Sequence, residues 1–120
     1  MNIIIVGCGK VGYTLVEALS SENHNIVVID TRPEKVIAIT DTLDAIGIVG
    51  NGVSHSVLRE AGIATADLLI AVTGSDEENL LCCVIAKKRG HCQTIARIRN
   101  PIYNEEMELL QREFGLSMII

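Results

Sequence analysis

Residues 3–12, which read IIIVGCGKVG, decide the fold of this chain. A run of four apolar residues is typical of a buried strand, and the pattern Gly-x-Gly-x-x-Gly follows it directly and opens an amphipathic helix over residues 10–21. In that setting Gly7 permits a tight turn, Gly9 lets a phosphate approach the backbone, and Gly12 allows the helix to pack against the strand. The stretch therefore predicts a loop that holds a pyrophosphate on the amides of a helix N-terminus.

The rest of the chain continues the alternation of strands and helices with connections of only a few residues. Such alternation requires parallel strands and right-handed crossovers. It predicts an α/β doubly wound Rossmann fold, in which a six-stranded parallel sheet carries helices on both faces, in one domain over residues 1–120. The predicted strands lie at 3–6, 26–29, 45–49, 68–72, 94–98 and 116–120, and the predicted helices at 10–21, 33–40, 54–58, 76–89 and 100–114.

Composition excludes several classes of function. Hydrophobic residues make up 48% of the 120 residues and aromatic residues 2%, which favours a core of Ile, Val, Leu and Ala between sheet and helices. The net charge of −5 argues against a nucleic-acid partner and against polybasic attachment to a membrane. Because the four cysteines lack metal-ligand spacing, we expect them to be reduced core residues, and we expect no metal site.

The chain stops on Met118-Ile119-Ile120, with no polar residue after an apolar strand. We therefore expect these residues to belong to a longer chain.

Asp30 closes the second predicted strand, where an acid is expected to accept hydrogen bonds from the hydroxyls of an adenosine ribose. A carboxylate there repels a 2′-phosphate, so the position favours NAD(H) over NADP. Arg32, two residues later, argues against this preference, because an arginine at this place can hold a 2′-phosphate. Thr31 lies between them and is included in the predicted site.

Three weaker elements follow other strands and point to the same edge of the sheet, where open α/β sheets bind their ligands. Gly50-Asn51-Gly52 would leave room for an adenine, but Asn-Gly is also a common turn. Thr73 would lie beside the dinucleotide, or alternatively begin a helix cap. Arg97, within the fifth predicted strand, would lie near phosphates, or alternatively pair with a surface acid.

No constellation in the sequence predicts catalysis. His24, His55 and His91 have no neighbouring nucleophile. The acids at 76–78 suit the positive end of a helix dipole better than metal binding or acid–base catalysis.

Other classes of protein are disfavoured by what the sequence lacks. A dehydrogenase would need a substrate domain and a proton-transfer residue, and a methyltransferase would need a different glycine spacing. A short-chain reductase would need Tyr-x-x-x-Lys, whereas Met107 follows Tyr103 at that spacing. A further alternative is an interaction module whose nucleotide pocket has decayed. The intact glycine loop and Asp30 argue against it. We expect a binding domain and not an enzyme.

Longer motifs identify a family. The stretches that carry the resemblance are GCGKVG at 7–12, VVID at 27–30, GNG at 50–52, LREAGIATADLLIAVTGSDEENL at 58–80 and IARIRNP at 95–101. Together they resemble the N-terminal domain of the Trk-type potassium-uptake regulatory subunit, the KTN or RCK family, over the whole chain.

The resemblance implies a cytoplasmic regulatory domain, peripheral on the inner face of the membrane, that binds NAD(H) or, in some branches, ATP or ADP. Family members assemble as dimers and rings on a potassium-translocating membrane subunit, and nucleotide exchange changes the angle between their lobes. Lys10 stands where the ATP-binding branch typically carries Arg, which favours NAD(H). The family's crossover helix and C-terminal lobe have no counterpart in residues 1–120, so ring assembly is an open expectation. The resemblance implies that Gly7, Gly9 and Gly12 hold phosphates, that Asp30 holds the ribose, that Asn51 and Thr73 flank the nucleotide and that Arg97 lies near the phosphates. With the neighbouring residues, the predicted ligand-binding site comprises Gly7, Cys8, Gly9, Lys10, Val11, Gly12, Asp30, Thr31, Arg32, Gly50, Asn51, Gly52, Thr73 and Arg97.

Overall fold

The structure is a computed structural model that describes residues 1–120. Six strands alternate with helices along the chain. The strands are β1 (Asn2–Val6), β2 (Asn25–Asp30), β3 (Ile46–Val49), β4 (Leu68–Ala71), β5 (Gln93–Ala96) and β6 (Met118–Ile119). The helices are α1 (Lys10–Ser20), α2 (Pro33–Thr40), α3 (His55–Glu60), α4 (Asp76–Arg89), a 3-10 helix (Pro101–Glu106) and α5 (Met107–Glu113).

All six strands form one parallel sheet in the order β3-β2-β1-β4-β5-β6. The predicted Rossmann fold is thus confirmed. β1 lies at the centre, where Ile4 is in register with Val27 of β2 on one side and with Leu69 of β4 on the other. The strand order reverses between β1 and β4, which is the point at which sheets of this kind bind their ligands.

The core consists of two layers because successive side chains of β1 point to opposite faces of the sheet. Ile4 and Val6 belong to the layer that includes residues of α3 and α4, whereas Ile3 and Ile5 belong to the layer that includes residues of α1 and α2. All four side chains are buried. The predicted covering of both faces by helices is therefore confirmed.

Helix α4 begins and ends where its sequence indicates. The Ser75 hydroxyl accepts a hydrogen bond from the Glu78 amide, so Ser75 is the N-cap. Acidic residues occupy the first turn and basic residues the last, each opposite in sign to the helix dipole beside it. The buried Gly90 ends the helix. A Cβ on this residue would overlap the Ile63 carbonyl oxygen, only 2.4 Å away, so the position requires glycine.

Several predicted elements differ from the structure. The sixth strand, expected over 116–120, covers only Met118–Ile119, and the helix expected over 54–58 extends to Glu60. The helix expected over 100–114 is a 3-10 helix followed by a short α-helix, because the Asn100 side chain accepts from the Ile102 amide and its carbonyl accepts from Tyr103 three residues on. None of the residues of the 3-10 helix is buried. The fifth strand ends at Ala96, so Arg97 follows the strand instead of lying within it.

The four cysteines are free and buried, as expected for core residues. Burial raises the pKa of the Cys82 thiol to about 12 and that of the Cys8 thiol to about 12, with the Asp30 carboxylate adding to the effect at Cys8. These thiols are therefore protonated and unreactive at neutral pH. None of the helices has the length and apolar composition that a bilayer crossing requires.

Candidate functional site

A cleft of about 560 Å³ lies at the carboxyl edge of the sheet, over the point where the strand order reverses. Of the residues that the sequence assigned to a binding site, all but Cys8 and Gly12 line it. Those two belong to the glycine loop but are buried within the protein. The assigned residues that line the cleft are Gly7, Gly9, Lys10, Val11, Asp30, Thr31, Arg32, Gly50, Asn51, Gly52, Thr73 and Arg97.

The three loop glycines have different surroundings. Gly7 has φ +111°, and a Cβ on it would lie 2.8 Å from the Val72 carbonyl. A Cβ on Gly12 would lie 1.9 Å from the Gly7 carbonyl oxygen, so Gly12 is needed for packing within the loop and does not face the cleft. A Cβ on Gly9 would meet no atom within 4 Å. Gly9 is therefore the glycine that the protein's own packing does not require.

The N-terminus of α1 has no side-chain cap. Gly9 is the N-cap residue, and Gly9, Lys10 and Val11 all line the cleft. Serine hydroxyls cap α3 and α4, whereas α2, whose N-cap residue Arg32 also lines the cleft, likewise has no side-chain cap. The first amides of a helix have no acceptor within the helix, and the helix dipole makes this end attractive to negative charge. The first turn of α1 is thus a ready anion-binding surface.

The Asp30 carboxylate organises the loop beside it. One oxygen accepts a hydrogen bond from the Cys8 amide at 2.8 Å, and the other accepts from the Arg32 amide at 2.9 Å. Since each carboxylate oxygen has two lone pairs, both oxygens keep capacity to accept from a ligand hydroxyl. Cys8 therefore contributes its backbone to the site while its side chain is buried.

The turn after β3 forms another wall of the cleft. The Asn51 side chain accepts from the Val53 amide at 3.0 Å, which is the local hydrogen bond expected of a turn asparagine. Gly52 is buried, and its carbonyl accepts a hydrogen bond from the Cys82 thiol at 3.1 Å. Asn51 thus has a turn-forming role and also lines the cleft.

Thr73 and Arg97 close the cleft on the side of β4 and β5. The N-cap of α4 is Ser75, but the Thr73 hydroxyl accepts from the Ser75 amide at 3.2 Å, so Thr73 supports the turn into the helix cap as well as lining the cleft. The Thr73 amide and hydroxyl both donate to the Asn79 side-chain oxygen, at 2.9 and 2.7 Å. The Asn79 side-chain amide donates in turn to the carbonyl of Arg97 at 2.9 Å.

The cleft is rich in unpaired positive charge. The two ion pairs of the structure, His24–Glu22 and Arg112–Glu113, lie outside it. The alternative that Arg97 pairs with a surface acid is therefore wrong. An excess of cations on a chain of net charge −5 makes this cleft a local site for anions. Its charged lining residues are the cations Lys10, Arg32, Lys35, Arg97 and Arg99 and the acids Asp30 and Glu78.

Several lining residues were not found by sequence reasoning. Lys35 lies one helical turn after Arg32, and Arg99 lies two residues after Arg97. Their spacing from cations already assigned to the site could have identified both as lining residues. Gly74 and Glu78 lie on either side of the N-cap of α4. The apolar residues Val6, Ile29, Val53 and Val72 and the thiol of Cys82 complete the lining. The three histidines do not line the cleft, and the structure contains no cluster of metal-ligating side chains.

Comparison with known proteins gives the family. The sequence model of the TrkA-N domain family matches residues 3–120 of this chain. The chain belongs to the TrkA-N domain family. The resemblance that the motifs indicated is thus confirmed.

Similar proteins extend the comparison for this TrkA-N domain. The Trk system potassium uptake protein TrkA homolog of Archaeoglobus fulgidus is 38% identical over 120 residues, which are 100% of this chain and 27% of that protein. The chain covers 23% of the TrkA protein of Azorhizobium caulinodans and 54% of the TrkA homolog of Methanothermobacter thermautotrophicus.

Two solved structures show the same fold. The TrkA-N domain of the inner membrane protein ybaL from Escherichia coli superposes with a TM-score of 0.86 at 23% identity, covering 99% of this chain and 85% of that one. The GsuK channel bound to NAD superposes with a TM-score of 0.82 at 24% identity, covering 99% and 21%. GsuK has also been solved bound to ADP.

Proposed function

We propose that this TrkA-N domain binds NAD(H) in its cleft and, without catalysing a reaction, regulates a potassium-translocating membrane subunit. The observation that carries the proposal is the uncapped N-terminus of α1 at Gly9, set among unpaired cations. An anionic group on the first amides of α1 would gain hydrogen bonds and a favourable dipole without displacing any side chain.

The lining residues suggest how a dinucleotide would lie. Its pyrophosphate would rest over Gly9 and the first turn of α1, next to the ammonium of Lys10. The adenosine ribose would donate to Asp30, and its adenine would lie against the turn at 50–52. The second nucleotide would then extend along the cleft towards Thr73 and Arg97. This arrangement uses opposite ends of the cleft for the two halves of one ligand.

The regulatory part of the proposal rests on the relatives. They are named as potassium uptake proteins, and the chain forms only a part of their length. We propose that this domain lies on the cytoplasmic face of a membrane potassium translocator and self-associates as a dimer or ring. Regulation further requires that the nucleotide bind two conformations with different affinity, since a ligand with equal affinity for both shifts nothing.

An adenine nucleotide, ATP or ADP, is the second candidate ligand. Arg97 and Arg99 offer cationic groups to a further phosphate, and a GsuK structure contains ADP. Glu78 in the same cleft would repel the additional charge of a triphosphate. An NAD-dependent oxidoreductase is disfavoured, because none of the histidines or tyrosines lines the cleft to transfer a proton.

The test is calorimetric titration of the purified chain with NADH, NAD⁺, ATP and ADP, together with the Asp30→Asn variant. We expect NADH or NAD⁺ to bind more tightly than ATP or ADP. Asp30→Asn should weaken NADH binding about tenfold, or about 1.4 kcal/mol, because the ribose loses a charged acceptor. Asp44→Asn makes the same charge change at an exposed position outside the cleft and should leave the affinity unchanged.

Other outcomes would change the proposal. Tighter binding of ATP or ADP than of either NAD form would assign the domain to the adenine-nucleotide branch. Equal effects of Asp30→Asn and Asp44→Asn would remove Asp30 from the site. No binding of any of the four ligands would refute nucleotide sensing by this chain.

A further inference from the structure

Asn79 is a buried polar residue that does not line the cleft, yet it connects two residues that do. Its side chain has 0% exposure, in the first turns of α4. Its oxygen accepts from the amide and the hydroxyl of Thr73, at 2.9 and 2.7 Å. Its nitrogen donates to the carbonyls of Thr73 and Arg97, at 3.2 and 2.9 Å. All of its hydrogen-bonding groups are thus satisfied within the protein.

These hydrogen bonds connect the segments that follow β4 and β5, at the carboxyl edge of the sheet. Thr73 lies two residues beyond β4, and Arg97 directly follows β5. The Arg97 amide donates to the Ala71 carbonyl at 3.0 Å, and the Arg97 carbonyl accepts from Asn79. Regular pairing between β4 and β5 ends with Ala71 and Ala96. Asn79 therefore replaces the missing strand partner at the point where the cleft begins.

We propose that Asn79 is a positioning residue for nucleotide binding, which holds the Thr73 loop and the Arg97 backbone at the separation that a bound nucleotide requires. This inference rests on the proposed function of the cleft. An unpartnered loop would have to be ordered when the ligand binds, and that ordering reduces affinity. A preorganised pair of loops avoids this loss, because the hydrogen bonds of Asn79 to both segments are made entirely within the protein.

Asn79→Asp tests the proposal with nearly unchanged shape. A carboxylate keeps the acceptor for Thr73 but loses both donors, and it places an oxygen against the carbonyls of Thr73 and Arg97. We expect NADH to bind at least tenfold more weakly, measured well below the unfolding temperature. Asn79→Ser, which keeps a smaller donor and acceptor, should show an intermediate loss and serves if the carboxylate prevents folding.

Thr94→Val is the matched control. Thr94 is also a fully buried polar residue, whose hydroxyl donates to the Gly115 carbonyl at 3.2 Å, but it does not line or contact the cleft. The substitution likewise preserves shape and leaves a carbonyl without its donor. We expect it to lower the unfolding temperature and to leave NADH affinity unchanged.

A double-mutant cycle separates positioning from a general loss of stability. If Asn79 acts through Arg97, the combined loss in Asn79→Asp/Arg97→Gln will be smaller than the product of the two single losses. Unchanged affinity in Asn79→Asp, or an equal loss in Thr94→Val, would overturn the role of Asn79 and leave the proposed function intact. A fully multiplicative cycle would overturn its action through Arg97. Absence of NADH binding by the unsubstituted chain would overturn both.

Discussion

Two glycines in one loop are present for different physical reasons. Gly12 is required by the protein itself, because any Cβ there would overlap the Gly7 carbonyl oxygen. Gly9 has ordinary backbone angles, with φ −76°, and open space on its Cβ side. A side chain at Gly9 would therefore be tolerated by the fold but would occupy the space above the first turn of α1. Substitution of Gly12 should therefore lower stability, whereas substitution of Gly9 should weaken ligand binding.

We expect Gly9→Val to weaken NADH binding at least tenfold and to change the free energy of unfolding by less than about 1 kcal/mol. Gly12→Ala should instead destabilise the domain by about 1–3 kcal/mol or more, as overpacking does. Chemical denaturation and calorimetry measure the two effects. Ala18→Val adds similar bulk at an exposed position of α1 away from the cleft and should leave NADH affinity unchanged. A stable Gly9→Val variant with native affinity would place the phosphates elsewhere.

At the scale of elements, α4 is tied to the segment that follows β5. The Asp76 carboxylate accepts from the amides of Arg99 and Asn100, at 3.0 and 2.7 Å. The Tyr103 hydroxyl donates to the Glu77 carboxylate at 2.6 Å. The first turn of α4 thus fixes the path of the chain into the 3-10 helix. Arg99 lines the cleft. The contacts with Asp76 therefore fix the backbone of a cleft residue as well as the start of the 3-10 helix.

The contact with Glu77 raises the pKa of the Tyr103 phenol, because the neutral phenol donates the hydrogen bond and the phenolate would face a carboxylate. Since the pKa is raised in the folded state, this stabilisation is present below the phenol's pKa in the unfolded chain and is lost as pH rises through the folded pKa. Glu77→Gln should lower the pKa of Tyr103 towards its ordinary value. Ultraviolet titration in a Tyr13→Phe background measures the Tyr103 phenol alone. An unaltered titration curve in Glu77→Gln would show that this hydrogen bond does not form in solution.

For the whole molecule, the distribution of charge matters more than its sum. The chain carries a net charge of −5, yet five cations and only two acids line the cleft. The protein as a whole repels an anionic nucleotide, whereas the cleft attracts it. Binding must therefore depend on ionic strength, since salt screens interactions between exposed charges over a Debye length of about 8–10 Å under ordinary conditions.

We expect NADH affinity to fall as NaCl is raised from about 0.1 M to about 1 M, where the Debye length shortens to about 3 Å. Arg99→Gln should make this dependence shallower, because one cation that attracts the phosphates is removed. Lys88→Gln removes an exposed cation outside the cleft and should leave the dependence unchanged. Calorimetry at several salt concentrations gives the slopes. Affinity independent of salt, or equal slopes in the two variants, would show that the cleft cations do not meet the ligand.

The sequence by itself determined the features that depend on near neighbours in the chain. The apolar run at 3–6, the glycine loop and Asp30 at the end of β2 specify a parallel sheet with an anion-binding turn, because strand burial, tight turns and helix N-termini are local properties. The motifs at 58–80 and 95–101 specified the family. The start and end of α4 were likewise predicted, from the acids of its first turn, the basic residues of its last turn and Gly90, although Ser75 was not predicted as its N-cap.

Only the tertiary structure decided which residues share the cleft and which support it. Gly12 packs against the Gly7 carbonyl and does not line the cleft, whereas Lys35, Glu78 and Arg99 do, because the direction in which each residue faces depends on where its strand or helix packs. The 3-10 helix that replaces the start of the helix expected over 100–114 is also held against α4, since the Tyr103 hydroxyl donates to the Glu77 carboxylate. Asn79 reads in the sequence as one more polar helix residue. Its bonds to Thr73 and Arg97 exist because folding brings the ends of β4 and β5 together around it.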